Sequence, residues 1–374
     1  MTRAWIRSIC LALLYLIPVT GNAVTPMMAA SDNDALFLNQ DGSVWGAGNV
    51  ANRWPGATSP VRVFNTPNIT SIATAGGTNF ALLADGTVQV VGWNGSGLLG
   101  NGTNSGYADD PILVPGLSTV RAIAASPNHV LALKQDGTVW SWGKNGFGQL
   151  GDGTQNDRFL PGQVIELFRI VSVAASSSNS LALDADGVVW SWGINFGGAA
   201  GDGTEGISNT SDPNYYKLTP VRVRNLDQVI AIASGYGTNH ALRADRTVWS
   251  WGDGFDGKNG DGQPSSHQTL PVPVSGLTDV VAVSVTGDHS LALKSDGTVW
   301  GWGKNNLGQL GSSTVTSSAV PVQIPGLSDI AAIVAGGAHS LAMHRDGVVY
   351  AWGMNSNAQL GDGTLTSRPA PRAV

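Results

Sequence analysis

The stretch LALKQDGTVWSWGKNGFGQLGDGT, residues 131–154, returns with losses six more times along the chain. It joins an apolar alternation (Leu131, Leu133) through a turn pair (Asp136, Gly137) to a second alternation (Val139, Trp140, Trp142) that ends at Gly143 in a glycine-rich loop. Alternation of period two marks a half-buried strand, and Asp-Gly between two such runs is a hairpin signal. The turn acid recurs at Asp41, Asp85, Asp136, Asp186, Asp245, Asp296 and Asp346, at spacings of 44, 51, 50, 59, 51 and 50 residues. A period near ~50 residues describes units that cannot bury their apolar faces alone and must stack on one another.

Aligned on that acid, each unit holds four strand-like pieces. A small apolar piece comes first, as at Val120–Ala125, Ile170–Ala175 and Val280–Val285. A Leu-Ala-Leu piece follows, then Thr-Val-Trp-x-Trp-Gly, and beyond the glycine-rich loop a Pro-x-x-Val piece such as 220–223. Seven units of this kind predict an all-β fold, a seven-bladed β-propeller of four-stranded antiparallel blades. The last unit stops inside its fourth strand at Val374, and residues 24–30 stand in the register of a first strand, although Pro26 weakens them as one. Neither end looks like the polar capping repeat that an open stack requires, so a closed ring is expected.

Composition suits this plan. Only 12% of residues are charged, against roughly 25% in an ordinary soluble domain, while Gly reaches 50 and Trp 13. Turns consume glycine and strands consume β-branched and aromatic residues. A net charge of -6 offers no basic footprint for a phosphate backbone, so no nucleic-acid partner is expected.

The N-terminus reads differently from the repeats. Arg3 and Arg7 precede an apolar run at 9–17, then Pro18 and a small-residue site at Gly21, Asn22 and Ala23. This is the pattern of a signal peptide over residues 1–23, leaving one propeller domain over 24–374. The apolar run falls well short of the ~20 residues that span a bilayer. An exported protein is therefore expected, periplasmic, cell-surface or extracellular, monomeric and without a membrane span once the leader is removed. Cys10 is the single cysteine, so the mature chain would rest on its packed core without disulfides.

Trp140 with Trp142, Trp190 with Trp192, Trp249 with Trp251, and Trp300 with Trp302 lie two residues apart and so on one strand face. Both rings of each pair are expected to fill the contact between blades, burying ~150–250 Å² apiece. Tyr350 and Trp352 keep the pattern, whereas Ala47 in unit 1 and Gln89 and Val91 in unit 2 break it. Those two contacts are expected to be less well filled, and this part of the ring to fray first.

The units HVLALKQDGTVWSWGKNGFGQLGDGT from His129, HSLALKSDGTVWGWGKNNLGQLG from His289 and HSLAMHRDGVVYAWGMNSNAQLGDGT from His339 closely resemble the repeat of the regulator of chromosome condensation family. The resemblance extends over nearly all of the chain after the leader, and it implies that family's seven-bladed ring. For function it implies a protein-binding propeller. The family's founder is a nucleotide-exchange factor for a small GTPase, and secreted bacterial members, which this chain looks most like, include an inhibitor that blocks its enzyme with one face. No exchange residue of the founder can be placed on a matching position of this chain.

Other motifs resolve into structural roles. Asp184, Asp186 and Gly187, and the pairs at Asp152 and Asp362, lack the terminal bidentate acid of a calcium loop and read as turns. Arg246 stands where the turn glycine is expected and must accept positive φ or change the turn. His129, His289 and His339 share one repeat position with Asp34, Thr78, Asn179 and Thr238, spread around the ring and expected to bond neighbouring backbone. His240, His267 and His344 suggest no cluster, so no metal or cofactor is expected. The glycine-rich runs lack the Lys-Ser/Thr pair of a phosphate loop, and no nucleophile, base and orienter assemble, so no enzyme is expected. A propeller enzyme remains the weakest alternative, after nucleotide exchange. Candidate partner-binding residues are the aromatics outside the repeat pattern, Trp54, Tyr107, Phe159, Tyr215 and Tyr216, with Asp109 and Asp212 in the same loops. Asp110 and Glu205 add to the acidic character expected of that face.

Overall fold

The computed structural model describes residues 24–50, 57–206 and 212–374. The leader at 1–23 and Trp54 therefore lie outside the described residues.

Seven four-stranded antiparallel sheets follow one another, each built from four consecutive strands. Blade 1 runs through Met27–Ala30, Asp34–Leu38, Val44–Gly48 and Ala57–Phe64, and blade 7 through Ile330–Ala335, His339–His344, Val349–Gly353 and Arg368–Ala373. Among the described residues the single short helix is a 3₁₀ turn at Phe255–Gly257. Small residues of the first strands, among them Ala73, Ala124, Ala174 and Ala233, line the central channel, whose cavity is 140 Å³. Small side chains belong there because seven strands converge on one axis. Every outermost strand carries a proline, at 60, 111, 161, 220, 271, 321 and 369. Proline withholds a donor from an exposed sheet edge and so blocks edge-to-edge pairing.

The second and third strands meet in a three-residue loop. In blade 3, Lys134 N donates to Thr138 O (2.9 Å) and Gly137 N to Lys134 O (3.0 Å), with Gly137 at φ +82°. Asp136 Oδ1 accepts from the Thr138 amide (2.9 Å) and hydroxyl (2.7 Å). These two bonds hold its carboxyl below the usual range. Arg246 takes the glycine conformation, at φ +66°, and the turn is unchanged. Blade 4 differs: Val188 has no hydroxyl, and Asp184, rather than the aligned Asp186, caps the turn through Val188 N (3.0 Å). Asp186 pairs instead with Arg169 (2.8 Å).

Seams between blades depart from expectation in one respect. Only the second tryptophan of each pair is fully buried, at Trp142, Trp192, Trp251, Trp302 and Trp352. Its indole Nε1 donates to a loop carbonyl of the preceding blade: Leu98, Gln149, Ala199, Lys258 and Gln309, at 2.8–3.1 Å. The first ring is half-buried beside the turn, and in three blades a cation lies over it, Lys134 on Trp140 (5.0 Å), Arg243 on Trp249 (5.4 Å) and Lys294 on Trp300 (5.7 Å). Position along the strand explains the split: the second ring lies under the glycine-rich loop of the preceding blade, whose carbonyl it bonds, whereas the first stands at the hairpin end, where Trp140 Nε1 reaches the turn residue Thr138 (3.3 Å).

The two seams without the second tryptophan also differ from each other. Between blades 1 and 2, Phe64 and Val50 are fully buried beside Val91 and fill the space, which corrects the expectation of a loose contact there. Between blades 7 and 1, Met28, Ala35, Leu341, Met343 and Leu360 form the buried contact with Phe37 packed against it, and a groove of 470 Å³ lies beside Met27, Phe37 and Met343. Among the described residues no sheet holds strands from both chain ends, and the ring closes by packing and by hydrogen bonds that include Gly337 N to Ser31 O (3.0 Å), Asn357 Nδ2 to Asn33 Oδ1 (2.9 Å) and Gly363 N to Thr58 O (2.8 Å).

Candidate protein-binding face

Antiparallel order puts the hairpin turns on one face and the glycine-rich loops, with the links between first and second strands, on the other. The glycine-rich loops are tightly built. Asn145 Oδ1 accepts from Leu150 N (2.9 Å), and its amide donates to Thr154 O (3.0 Å) and Asp152 Oδ1 (3.2 Å). Asn94, Asn195, Asn305 and Asn355 repeat the clasp. Asp152 and Asp362 cap Thr154 and Thr364 and pair with Arg158 (2.8 Å) and Arg368 (2.9 Å), as turn acids do. Side chains on these loops are therefore held in place before any partner arrives.

Beneath the loops lies a belt of buried polar groups. His129 Nε2 meets Ser180 Oγ of the next blade (2.7 Å), and Ser180 Oγ donates to Gln149 O (2.9 Å), the carbonyl that also accepts from Trp192. His289 and Ser340 repeat the arrangement at Gln309. The partner of these histidines is thus chiefly a side chain across the seam, not the neighbouring backbone that the sequence suggested. His240 belongs to the same belt, bonding Ser290 Oγ (2.7 Å) although it sits one pleat further along its strand. His339 faces blade 1, where the matching residue is Ala35, and neither ring nitrogen has a partner. Burial drives His129, His240 and His339 down to about 3 and His289 to about 4, so all four are neutral. Asp34 occupies the same repeat position, and burial raises its carboxyl to about 6.

At the channel mouth Tyr236 of blade 5 reaches across to blade 1, its hydroxyl donating to Asp32 Oδ2. Ser126, Ser176, Ser177 and Ser234 line the opening around it.

Of the candidate residues, Tyr107 is 61% exposed and Asp109 is exposed beside it. Phe159 is half-buried against Gly97, and its position does recur, since Leu218, Thr269, Ala319 and Pro369 cover Gly148, Gly198, Gly257 and Gly308 in the same way. Tyr215 and Tyr216 stack edge to face (4.7 Å), and Tyr216 packs on Phe147 of blade 3 (6.2 Å). Asp212 caps the same loop through Asn214 N (2.9 Å). The candidates thus fall into separate groups, with Tyr107 and Asp109 on blade 2 and the tyrosine pair on blade 4. On this face the exposed aromatics that escaped the sequence reading include Trp93 (39%), the strand partner of Tyr107, Phe196 (42%) and Phe255 (63%). Phe196 and Phe255 stand at a loop position held by glycine in unit 3, and a bulky side chain there was the available signal. The expected acidity is partly cancelled, because Asp152, Asp202, Asp253, Asp288 and Asp362 each face a Lys or Arg.

Comparison with known proteins agrees with this architecture. The RCC1-like domain matches residues 163–374, and the regulator of chromosome condensation (RCC1) repeat matches 85–133 and 136–183. Human E3 ubiquitin-protein ligase HERC2 is 33% identical over 241 residues, 63% of this chain but 5% of that protein. The ultraviolet-B receptor UVR8 of Arabidopsis thaliana is 30% identical over 226 residues, 59% of this chain and 49% of the receptor. Thus the chain spans at most about half the length of these relatives. Human WBSCR16 superposes with a TM-score of 0.74 at 25% identity, covering 85% of both chains. Yeast RCC1 (Prp20), solved bound to Kap60, superposes at 0.77 over 100% of this chain and 91% of its own, at 21% identity, and so attests the fold alone. With four strands in each of seven blades, the clasped glycine loops and a domain match over more than half its length, this chain belongs to the RCC1-like family.

Proposed function

We propose that the chain is an exported, non-enzymatic scaffold that binds a protein partner through its loop face. The observation carrying this reading is the set of exposed aromatic rings, Phe196 and Phe255 on the glycine-rich loops and the paired Trp93 and Tyr107 at the strand ends that flank one, on a face whose loops are already ordered by internal hydrogen bonds. Aromatic anchors on a rigid frame bind at little entropic cost. Family membership supports a protein partner, since yeast Prp20 was studied for its binding to Gsp1p and histones. Export is supported by the basic and apolar pattern of residues 1–23, whose removal would spare every strand from Met27 onward. Among the described residues no helix is long and apolar enough to cross a membrane.

The test is affinity capture from the extracellular and periplasmic fractions of the source, repeated with Tyr107→Ala, Tyr216→Ala and Phe255→Ala and, on the opposite face, Phe168→Ala. Loss of the captured protein with loop-face variants alone supports the reading, and loss with Phe168→Ala alone defeats it. Nucleotide exchange on a small GTPase is the second reading, favoured by the family. It requires accelerated release of bound guanine nucleotide in the presence of the purified chain. Mass measurement of the exported chain tests the leader, a start at Val24 being the expected result.

A further inference from the structure

We infer that a contiguous patch over blades 4 and 5, formed by Phe196, Glu205, Asp253, Phe255 and His267, is the part of the loop face that receives an arginine or lysine side chain of the partner. The inference rests on the protein-binding reading above and adds where the partner is gripped and by what chemistry.

Contiguity follows from the contacts among these side chains. The Phe196 ring lies 5.5 Å from the His267 ring, edge on. His267 Nδ1 is 2.6 Å from Glu205 Oε1, and its Nε2 is 3.7 Å from Asp253 Oδ1. Asp253 Oδ1 in turn accepts from the Phe255 amide (3.0 Å), which joins the second ring to the group. The two phenyl rings remain largely open to solvent, at 42% and 63% exposed. Two open rings with carboxylates between them match a cation twice, through the ring faces and through a charge-assisted hydrogen bond.

Charge complementarity selects a basic partner over an acidic or neutral one. Glu205, Asp253, Asp256 and Asp261 supply four carboxylates around the patch, and the nearby ammonium groups are already paired, Lys217 with Asp202 (2.8 Å), Lys304 with Asp288 (2.9 Å) and Lys258 with Asp253. The Lys258 ammonium is buried and spent on Asp253 Oδ2 and the Tyr236 carbonyl, both at 2.9 Å. Among the described residues, Glu205, Asp256 and Asp261 form no ion pair with a Lys or Arg. The Lys258 bridge also fixes Asp253 in place, so a guest cation finds its acceptor already oriented.

The experiment uses the full mature chain and a biotinylated tetra-arginine peptide, with tetra-glutamate and Gly-Ser peptides of equal length as controls, read by biolayer interferometry at low and physiological salt. Only the arginine peptide is expected to bind, and Glu205→Gln and Phe255→Ala are each expected to weaken it at least fivefold. Asp227→Asn on the opposite face is expected to leave it unchanged. Equal binding by all variants, or none to the wild type, overturns the inference. Partner capture that still depends on Phe255 while the arginine peptide fails would reject the cation but leave the protein-binding reading intact. Circular dichroism of each variant separates lost contact from lost fold.

Discussion

The Tyr236 hydroxyl of blade 5 is hydrogen-bonded to the Asp32 carboxylate of blade 1, across the channel and 204 positions apart in sequence. Blade 1 shares no strand with blade 7, so this bond ties the ring's first blade to a blade that is not its neighbour. Burial and the adjacent Asp32 charge raise the phenol well above its ordinary value, so it stays a donor. Tyr236→Phe removes that donor while preserving the ring. A hydrogen bond to a charged group contributes about 1.5–3 kcal/mol, and a loss at the lower end is expected because the carboxylate can recover water. Urea unfolding reads the loss, and hydrogen exchange should show it first in blade 1.

Position within the seam predicts unequal tryptophans. Trp192→Phe strands part of a filled core and removes the donor to Gln149 O, and should cost about 2–4 kcal/mol. Trp190→Phe, half-buried beside the turn and bonded to Asp184 at 3.2 Å, should cost about 1 kcal/mol. Paired denaturation curves check the order of the two effects.

His339 has no partner because the position that is Ser180 or Ser340 elsewhere is Ala35 in blade 1. Ala35→Ser should therefore stabilise the ring by about 1 kcal/mol, the net value of one hydrogen bond. The converse change, Ser340→Ala, should destabilise it by a similar amount or more. A rise in the melting temperature of the first variant and a fall in the second are the expected results.

Buried ionisable groups set two opposite dependences on pH. His129, His240, His289 and His339 are held near 3 to 4, below the ~6.5 of an unfolded histidine. The unfolded chain then binds protons that the fold refuses, so stability is lost as pH falls from ~6.5 toward 3. His289→Asn, copying Asn179 of blade 4, should flatten that decline. Asp34 runs the other way: its folded value near 6 exceeds 3.8, so the folded state keeps a proton longer and stability is lost as pH rises from about 4 to 6. Asp34→Asn should stabilise the protein at pH 7.5 and give no gain near pH 4, measured by urea midpoints.

Much of the ring was legible in the repeat. Asp136 and Gly137 were readable as a turn because hairpin chemistry is local, and the strands around them because alternation reports one buried face. The tryptophan pairs were readable as blade contacts, yet their division into a buried ring and a half-open one depends on which end of the strand the preceding blade's loop covers. The candidate aromatics were sought where side chains broke the repeat, and of these Tyr107 is exposed while Phe159 stands at a position that does recur. Phe255 and Phe196 were passed over because glycine-rich loops read as connectors.

Local chemistry in the sequence determined strand, turn, blade count and family. Tertiary structure alone decided which groups meet across a seam or across the channel, such as His129 with Ser180, His339 with Ala35 and Tyr236 with Asp32. Those meetings join residues dozens to hundreds of positions apart, and no periodicity records the angle at which one blade faces the next.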